Sequence, residues 1–244
     1  MTRHDGWDGI EGIVLDAVGT LIDPTPSVAE AYAAAASRQG LAVDVAEVKS
    51  RFGQHFRNDE VDEQLGPMAT DEAIESRRWR RIVANVLPDL PDKDRGFREL
   101  WDHFGRPEAW RCFADVGPAL SALRGAGVPV RVASNFDGRL RAVAAGLPEL
   151  AGLVETLVIS SRVGFRKPHP AFYSAACRSL GLAAGSVLCV GDDPENDVRG
   201  AERAGLRGVL VDRDGRRPPG LATMPDLHSL AVAVIGSRER AGRA

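Results

Sequence analysis

Lysine is almost missing from this sequence. Of 31 basic residues only Lys49, Lys93 and Lys167 are lysine, and the rest are arginine. With the many Ala and Gly, that bias points to a GC-rich genome more than to a function. Charge of one sign is also lacking: 34 acidic residues against 31 basic ones leave a formal net charge of -3. Such a balance gives no reason to expect nucleic acid or an anionic membrane as partner. Cysteine is scarce, and Cys112, Cys177 and Cys189 form no C-x-x-C pair. An odd, scattered set argues for a reducing cytoplasm over a disulfide scaffold. No apolar run approaches the ~20 residues of a bilayer-spanning helix, and MTRHDGWDGIEG has no apolar stretch suited to a secretory signal. The expectation is a soluble, cytoplasmic protein. What the chain does have is 244 residues, 44% of them hydrophobic, enough for one large domain or two unequal ones. Whole-chain disorder is excluded.

The apolar periodicity divides the chain. Residues 12–16 (GIVLD) form a short apolar run ending in a carboxylate, the pattern of a buried parallel strand. From Ser27 to Phe104 the reading is helical, with stops at Gly40, Gly66 and Pro88 and no convincing strand. From Val116 onward, strands (VPVRVASN, ETLVIS, SVLCVGDD, RGVLVDR) alternate with helices (PALSALRGAG, GRLRAVAAGL, PAFYSAACRSLG, NDVRGAERAG). Alternation of this kind implies right-handed crossovers and a Rossmann-like parallel sheet covered on both faces. The expected architecture is an α/β core from residues 1–24 and 106–235, with a helical module, 25–105, inserted after the first strand. Residues 236–244 read as a frayed tail.

In an open α/β sheet, ligands bind outside the carboxyl ends of the strands. Those ends carry Asp16, then Ser134 and Asn135, then Asp192 and Asp193, with Lys167 in the loop after ETLVISS. One such carboxylate is as easily a helix cap; all of them together are not. Asp16, Asp192, Asp193 and Asp197 in one crevice would repel and raise each other's pKa. Lys167 alone cannot balance them. A hard divalent cation with oxygen ligands, Mg²⁺ foremost, would.

Asp16-x-x-Gly19-Thr20-Leu21, Ser134-Asn135, Lys167-Pro168 and Gly191-Asp192-Asp193-x-x-Asn196-Asp197 resemble, in order, the four motifs of the haloacid dehalogenase (HAD) superfamily. The resemblance covers essentially the whole chain, and the inserted helices resemble that superfamily's C1-type cap. More narrowly, VAEAYAAAASRQGL, SRRWRRIV and VRVASNFDGRL resemble the haloacid dehalogenase-like hydrolase domain-containing protein 3 group. The resemblance implies roles. Asp16 is the nucleophile that attacks phosphorus and forms an aspartyl-phosphate. Asp16, the carbonyl of Val18, Asp192 and Asp197 hold Mg²⁺, with Asp193 near them. Thr20, Ser134, Asn135 and Lys167 contact the substrate or its surroundings, and Lys167 offsets charge on the nucleophile and the phosphoryl group. The implied substrate is a small phosphorylated metabolite. The sequence carries no signal for an oligomeric state.

One position departs from that pattern. HAD phosphatases carry a second aspartate two residues after the nucleophile, as acid for the leaving oxygen and base for the attacking water; here it is Val18. General acid–base help contributes roughly 10²–10⁴ in rate, so slow phosphate hydrolysis is expected. The alternatives are a weak or inactive phosphate- and metal-binding protein, or a metal-independent haloacid dehalogenase. The acidic GDDPEND segment argues against the last. A phosphonatase would need a cap lysine where Phe56 stands, and Lys49 reads as a solvated helix residue. P-type ATPases also lack the second aspartate, but this chain has no transport domain. The remaining candidates take plain readings. Asp23 is a turn residue, His169 a loop spacer, and His55 and His103 ordinary histidines. Arg77, Arg78, Arg80 and Arg81 form a solvated cluster, Trp79, Trp101 and Trp110 serve packing, and Cys189 is a buried small residue.

Overall fold

The computed structural model describes residues 7–66, 68–215 and 220–242, with the backbone alone over 60–65. Strand β1 (Gly12–Leu15) is wholly buried and leads to β2 (Ile22–Pro24). Four helices follow: α1 (Val28–Ser37), α2 (Val45–Leu65), α3 (Glu72–Val86) and α4 (Lys93–Phe104). Their starts are written locally. Ser27 and Glu30 form a reciprocal capping box on α1, and the carboxylates of Asp71 and Asp92 accept the amides of Ile74 and Arg95. Tyr32, Ile82, Val86 and Leu100 are among the buried residues that give these four helices a small apolar core of their own.

Strand β3 (Trp110–Cys112) then returns antiparallel to β2, pairing Ile22 with Cys112 and Pro24 with Trp110. This two-stranded ribbon joins the helical insert to the rest, and the sequence reading missed it. Asp23, expected in a turn, is in β2 and takes a hydrogen bond from Arg111 Nη2 at 2.9 Å. Pairing across 88 residues overrides a local turn preference.

The remainder alternates as expected. It runs α5 (Val116–Gly125), β4 (Val130–Ser134), α6 (Leu140–Gly146), β5 (Val158–Ile159), α7 (Ser160–Val163), α8 (Pro170–Leu180) and β6 (Val187–Gly191). A wide helical turn, Pro194–Arg199, then feeds α9 (Gly200–Arg203), β7 (Arg207–Val211), β8 (Thr223–Met224) and α10 (Leu227–Ala241). The expected strand at ETLVIS keeps only Val158–Ile159, and β8 was not foreseen. The tail expected to fray from 236 is instead helical through Ala241. Ser237, 1% exposed, donates to Asp8 Oδ1 at 2.7 Å and seats that helix.

Six strands form one parallel sheet in the order β5-β4-β1-β6-β7-β8. Side chains alternate across it: Ile13 and Leu15 join the apolar cluster that includes α5 and α10, while Val14 joins that of α8. Both faces are covered, which explains the unbroken apolar runs. β1 has β4 on one side and β6 on the other, so the chain reverses its direction of travel across the sheet there. That switch point opens a crevice at the carboxyl ends of three strands.

Candidate active site

Asp16 follows β1, Ser134 ends β4, and Asp192 follows β6, so the three meet at the crevice. Carboxylate oxygens of Asp16, Asp192 and Asp197 lie within 4.8 Å of one another. Lys167, only 4% exposed, donates from Nζ to Asp16 Oδ1 and Asp197 Oδ1, both at 2.7 Å. Ser134 also hydrogen-bonds the Asp16 carboxylate. Two glycines make this crowding feasible. At Gly191 an added Cβ would sit 1.9 Å from Asp197 Oδ2. Gly19, at φ +84°, turns the chain back after Asp16, and a Cβ there would come within 2.3 Å of Asp192 Oδ2.

Burial and mutual repulsion set the electrostatics. Burial pushes Asp16 up to about 6 against the opposing pull of Lys167, and Asp197 adds to the rise. Burial, with the charges of Asp16 and Asp197, pushes Asp192 up to about 7. Burial alone would lower Lys167, but the two carboxylates it touches hold it well above its ordinary value. Lys167 is therefore a lysinium at neutral pH. One cation faces three carboxylates, of which Asp16 and Asp197 are buried and Asp192 is exposed, an arrangement suited to a divalent metal ion. Asn196 Oδ1, buried beside the same cavity, has no hydrogen-bond partner among the described residues, which adds an oxygen donor to the set.

The other residues read from the motifs take definite places. Asn135 grips the lysine loop at both ends of its amide, accepting from Lys167 N at 2.7 Å and donating to Lys167 O at 3.1 Å. That positioning was not foreseen. Thr20, expected near the substrate, is fully buried and does not line the cavity; its hydroxyl donates to Asp192 Oδ1 at 3.1 Å. Asp193 caps the following helical turn through the amides of Glu195 and Asn196. Val18, 36% exposed, borders the cavity beside Asp16.

The cavity, about 330 Å³, runs from these residues in among α1 to α4. His55, His103, His169, Asp23 and Lys49 are not among the described residues that line it. His169 stacks on Phe165 at 4.1 Å and accepts from Ala171 N, and Lys49 is exposed. The arginine cluster needs correction. Arg78 is 2% exposed, not solvated, and its Nε donates to Asp59 Oδ2 at 2.5 Å. Arg81 also bonds Asp59 and Arg80 bonds Asp94, while Arg77 stays exposed. Arg139 and Arg166, which no motif reading singled out, line the cavity as well. Their only sequence signal is adjacency: Arg166 precedes Lys167, and Arg139 follows Ser134-Asn135 by four residues.

A family model described as haloacid dehalogenase-like hydrolase matches residues 10–205. Haloacid dehalogenase-like hydrolase domain-containing protein 3 from Danio rerio is 29% identical, over 85% of this chain and 88% of its own. The phosphoserine phosphatase of Thermus thermophilus is 33% identical over 60% of this chain and 59% of its own. Among solved structures, the L-2-haloacid dehalogenase from Xanthobacter autotrophicus with covalently bound chloropropionic acid superposes with a TM-score of 0.69. It is 22% identical, with 93% of this chain and 99% of that one covered, a likeness of fold.

Proposed function

This chain belongs to the haloacid dehalogenase-like hydrolases, and from that premise we propose that it is a Mg²⁺-dependent phosphatase acting on a small phosphorylated substrate through Asp16. In this reading residues 25–105 are the cap and the flanking segments, 1–24 and 106–235, the core. The observation that carries it is the cluster of Asp16, Asp192 and Asp197 around buried Lys167. Phosphatases among the relatives support it.

Asp16, Asp192 and Asp197 would hold the metal, with the carbonyl of Val18 and the amide oxygen of Asn196 at hand. A divalent cation there supplies Lewis-acid charge that offsets the negative phosphoryl group. Asp16, ionised at neutral pH, attacks phosphorus; the new bond to its oxygen forms as the bond to the leaving oxygen breaks. Lys167 neutralises the nucleophile as it approaches an anion, and Ser134 with the backbone amide of Asn135 holds a phosphoryl oxygen. Thr20 orients Asp192. Water then attacks the aspartyl-phosphate, releasing phosphate and restoring Asp16. Val18 can neither protonate the leaving oxygen nor deprotonate that water, so turnover is slow. Val18 also favours a second reading, a protein that binds metal and phosphate with little or no turnover.

Chelator-treated protein with 4-nitrophenyl phosphate tests the proposal. Turnover should appear on adding Mg²⁺ and vanish in Asp16→Asn, whose amide is a poor nucleophile. Wild-type rates in Asp16→Asn would overturn the covalent route. Halide release from 2-chloropropionate without metal would replace it with dehalogenation.

A further inference from the structure

Away from the crevice residues the cavity is walled mainly by rings. The chain has eight Phe, four Trp and two Tyr, and nine of these side chains line this one cavity. Phe52 stacks on Phe56 at 5.5 Å and 17°, and Phe56 lies 6.1 Å from the Trp79 ring. On α4 Phe97 and Trp101 are 5.5 Å apart. Phe52, Phe56, Trp79 and Trp101 are only half-buried, and the cavity is what they border.

The carboxylates and Lys167 gather at one end of the cavity, while Arg78 and Arg139 lie against its rings. Its three arginines are each matched by a carboxylate: Arg78 by Asp59 at 2.5 Å, Arg166 by Glu75 at 2.5 Å and Arg139 by Asp137 at 2.7 Å. A second anionic group on the substrate would meet cations already neutralised. Sugar hydroxyls would lose water against ring faces that offer no comparable hydrogen bonds. An uncharged aromatic group fits both the lining and the size, since about 330 Å³ is near the lower end of ligand pockets.

We infer that the organic part of the substrate is an uncharged aromatic group, so that this protein acts on aryl phosphates. The inference rests on the phosphatase reading and names its substrate class. Val18 agrees with it independently. In an aryl phosphate the bond from phosphorus to the ring oxygen breaks as the Asp16 bond forms. The oxygen departs as a stabilised phenolate, which takes its proton from solvent, and water completes hydrolysis to phenol and inorganic phosphate. No acid at position 18 is needed for that departure.

Binding of two non-hydrolysable phosphonates in the presence of Mg²⁺, followed by calorimetry, tests this without turnover. Naphthylmethylphosphonate should bind about 10- to 100-fold more tightly than methylphosphonate, the gain expected from burying one ring system. In Phe56→Ala, and separately in Trp79→Ala, that affinity ratio should fall at least about fivefold, each variant first being shown to melt cooperatively. Equal affinities for the two phosphonates in the wild type would overturn the aromatic assignment and leave the phosphatase reading standing. Binding of naphthylmethanol as tight as that of the phosphonate would overturn both, since the phosphoryl end would then contribute nothing.

Discussion

Replacing Val18 with aspartate tests whether the missing acid sets the rate. The side chain borders the cavity beside Asp16 and is 36% exposed, so a carboxylate there keeps part of its hydration and need not unfold the protein. A new acid there stands partly shielded at the cavity edge, where loss of hydration favours its protonated form near neutral pH. A positioned general acid contributes roughly 10²–10⁴, or about 2.7–5.4 kcal/mol of barrier. The gain should depend on the leaving group. Benzyl phosphate, whose alkoxide leaves poorly, should gain up to that full factor, whereas 4-nitrophenyl phosphate, whose phenolate leaves unaided, should gain little in the first step. Both substrates keep a ring for the cavity, so the comparison isolates proton transfer. Stopped-flow measurement of nitrophenolate should show a burst in the wild type, where the aspartyl-phosphate lacks a base for its hydrolysis. The burst should shrink in Val18→Asp. If the wild type already hydrolyses benzyl phosphate within about tenfold of 4-nitrophenyl phosphate, the reasoning fails, because a proton donor is then already in place. A folded, Mg²⁺-binding variant with no gain on benzyl phosphate would refute it equally.

Two further outcomes follow from the charges. Asp16 and Asp192 rise from 3.8 to about 6 and about 7, so without metal the folded protein holds more protons than the unfolded chain across that range. Their contribution is fullest below pH 3.8 and is lost as pH rises toward 7. Mg²⁺ held at the proposed site would displace those protons. Its upward shift of the melting temperature should therefore be larger at pH 8 than at pH 5 and mostly lost in Asp192→Asn, and an unchanged wild-type melt at pH 8 would refute the metal site. Glu75, 1% exposed, accepts from Thr70 Oγ1 at 2.6 Å and Arg166 Nη1 at 2.5 Å, with Arg78 3.9 Å away. Glu75→Gln removes the charge these buried arginines face and should cost about 3–5 kcal/mol in urea unfolding; a loss under about 1 kcal/mol would show that the ties between α3 and the lysine loop are slack.

The parallel core was legible because its signals are local. Strand β1 is a run of four buried residues, and Asp16, Ser134 and Asp192 stand at strand ends with Lys167 and Asp197 a short helical turn further on, so order along the chain translated directly into nearness at the switch point. Helix starts such as Ser27-x-x-Glu30 were equally local. Tertiary structure decided what depended on distant partners. Arg78 looks like one of four helix-surface arginines until Asp59, nineteen residues back, meets it. Asp23 takes its place only through Arg111, and residues 236–241 stay helical where Ser237 reaches Asp8. The same holds for Thr20, which sequence pattern set beside the substrate and the fold turns toward Asp192. The ring-lined cavity is the strongest case. Its aromatics are spread from Tyr32 to Phe136, and each alone is a packing residue; only the closing of α1 to α4 over the sheet gathers them around one cavity. Periodicity reports which side chains turn away from water, but not whether the space they turn toward is filled.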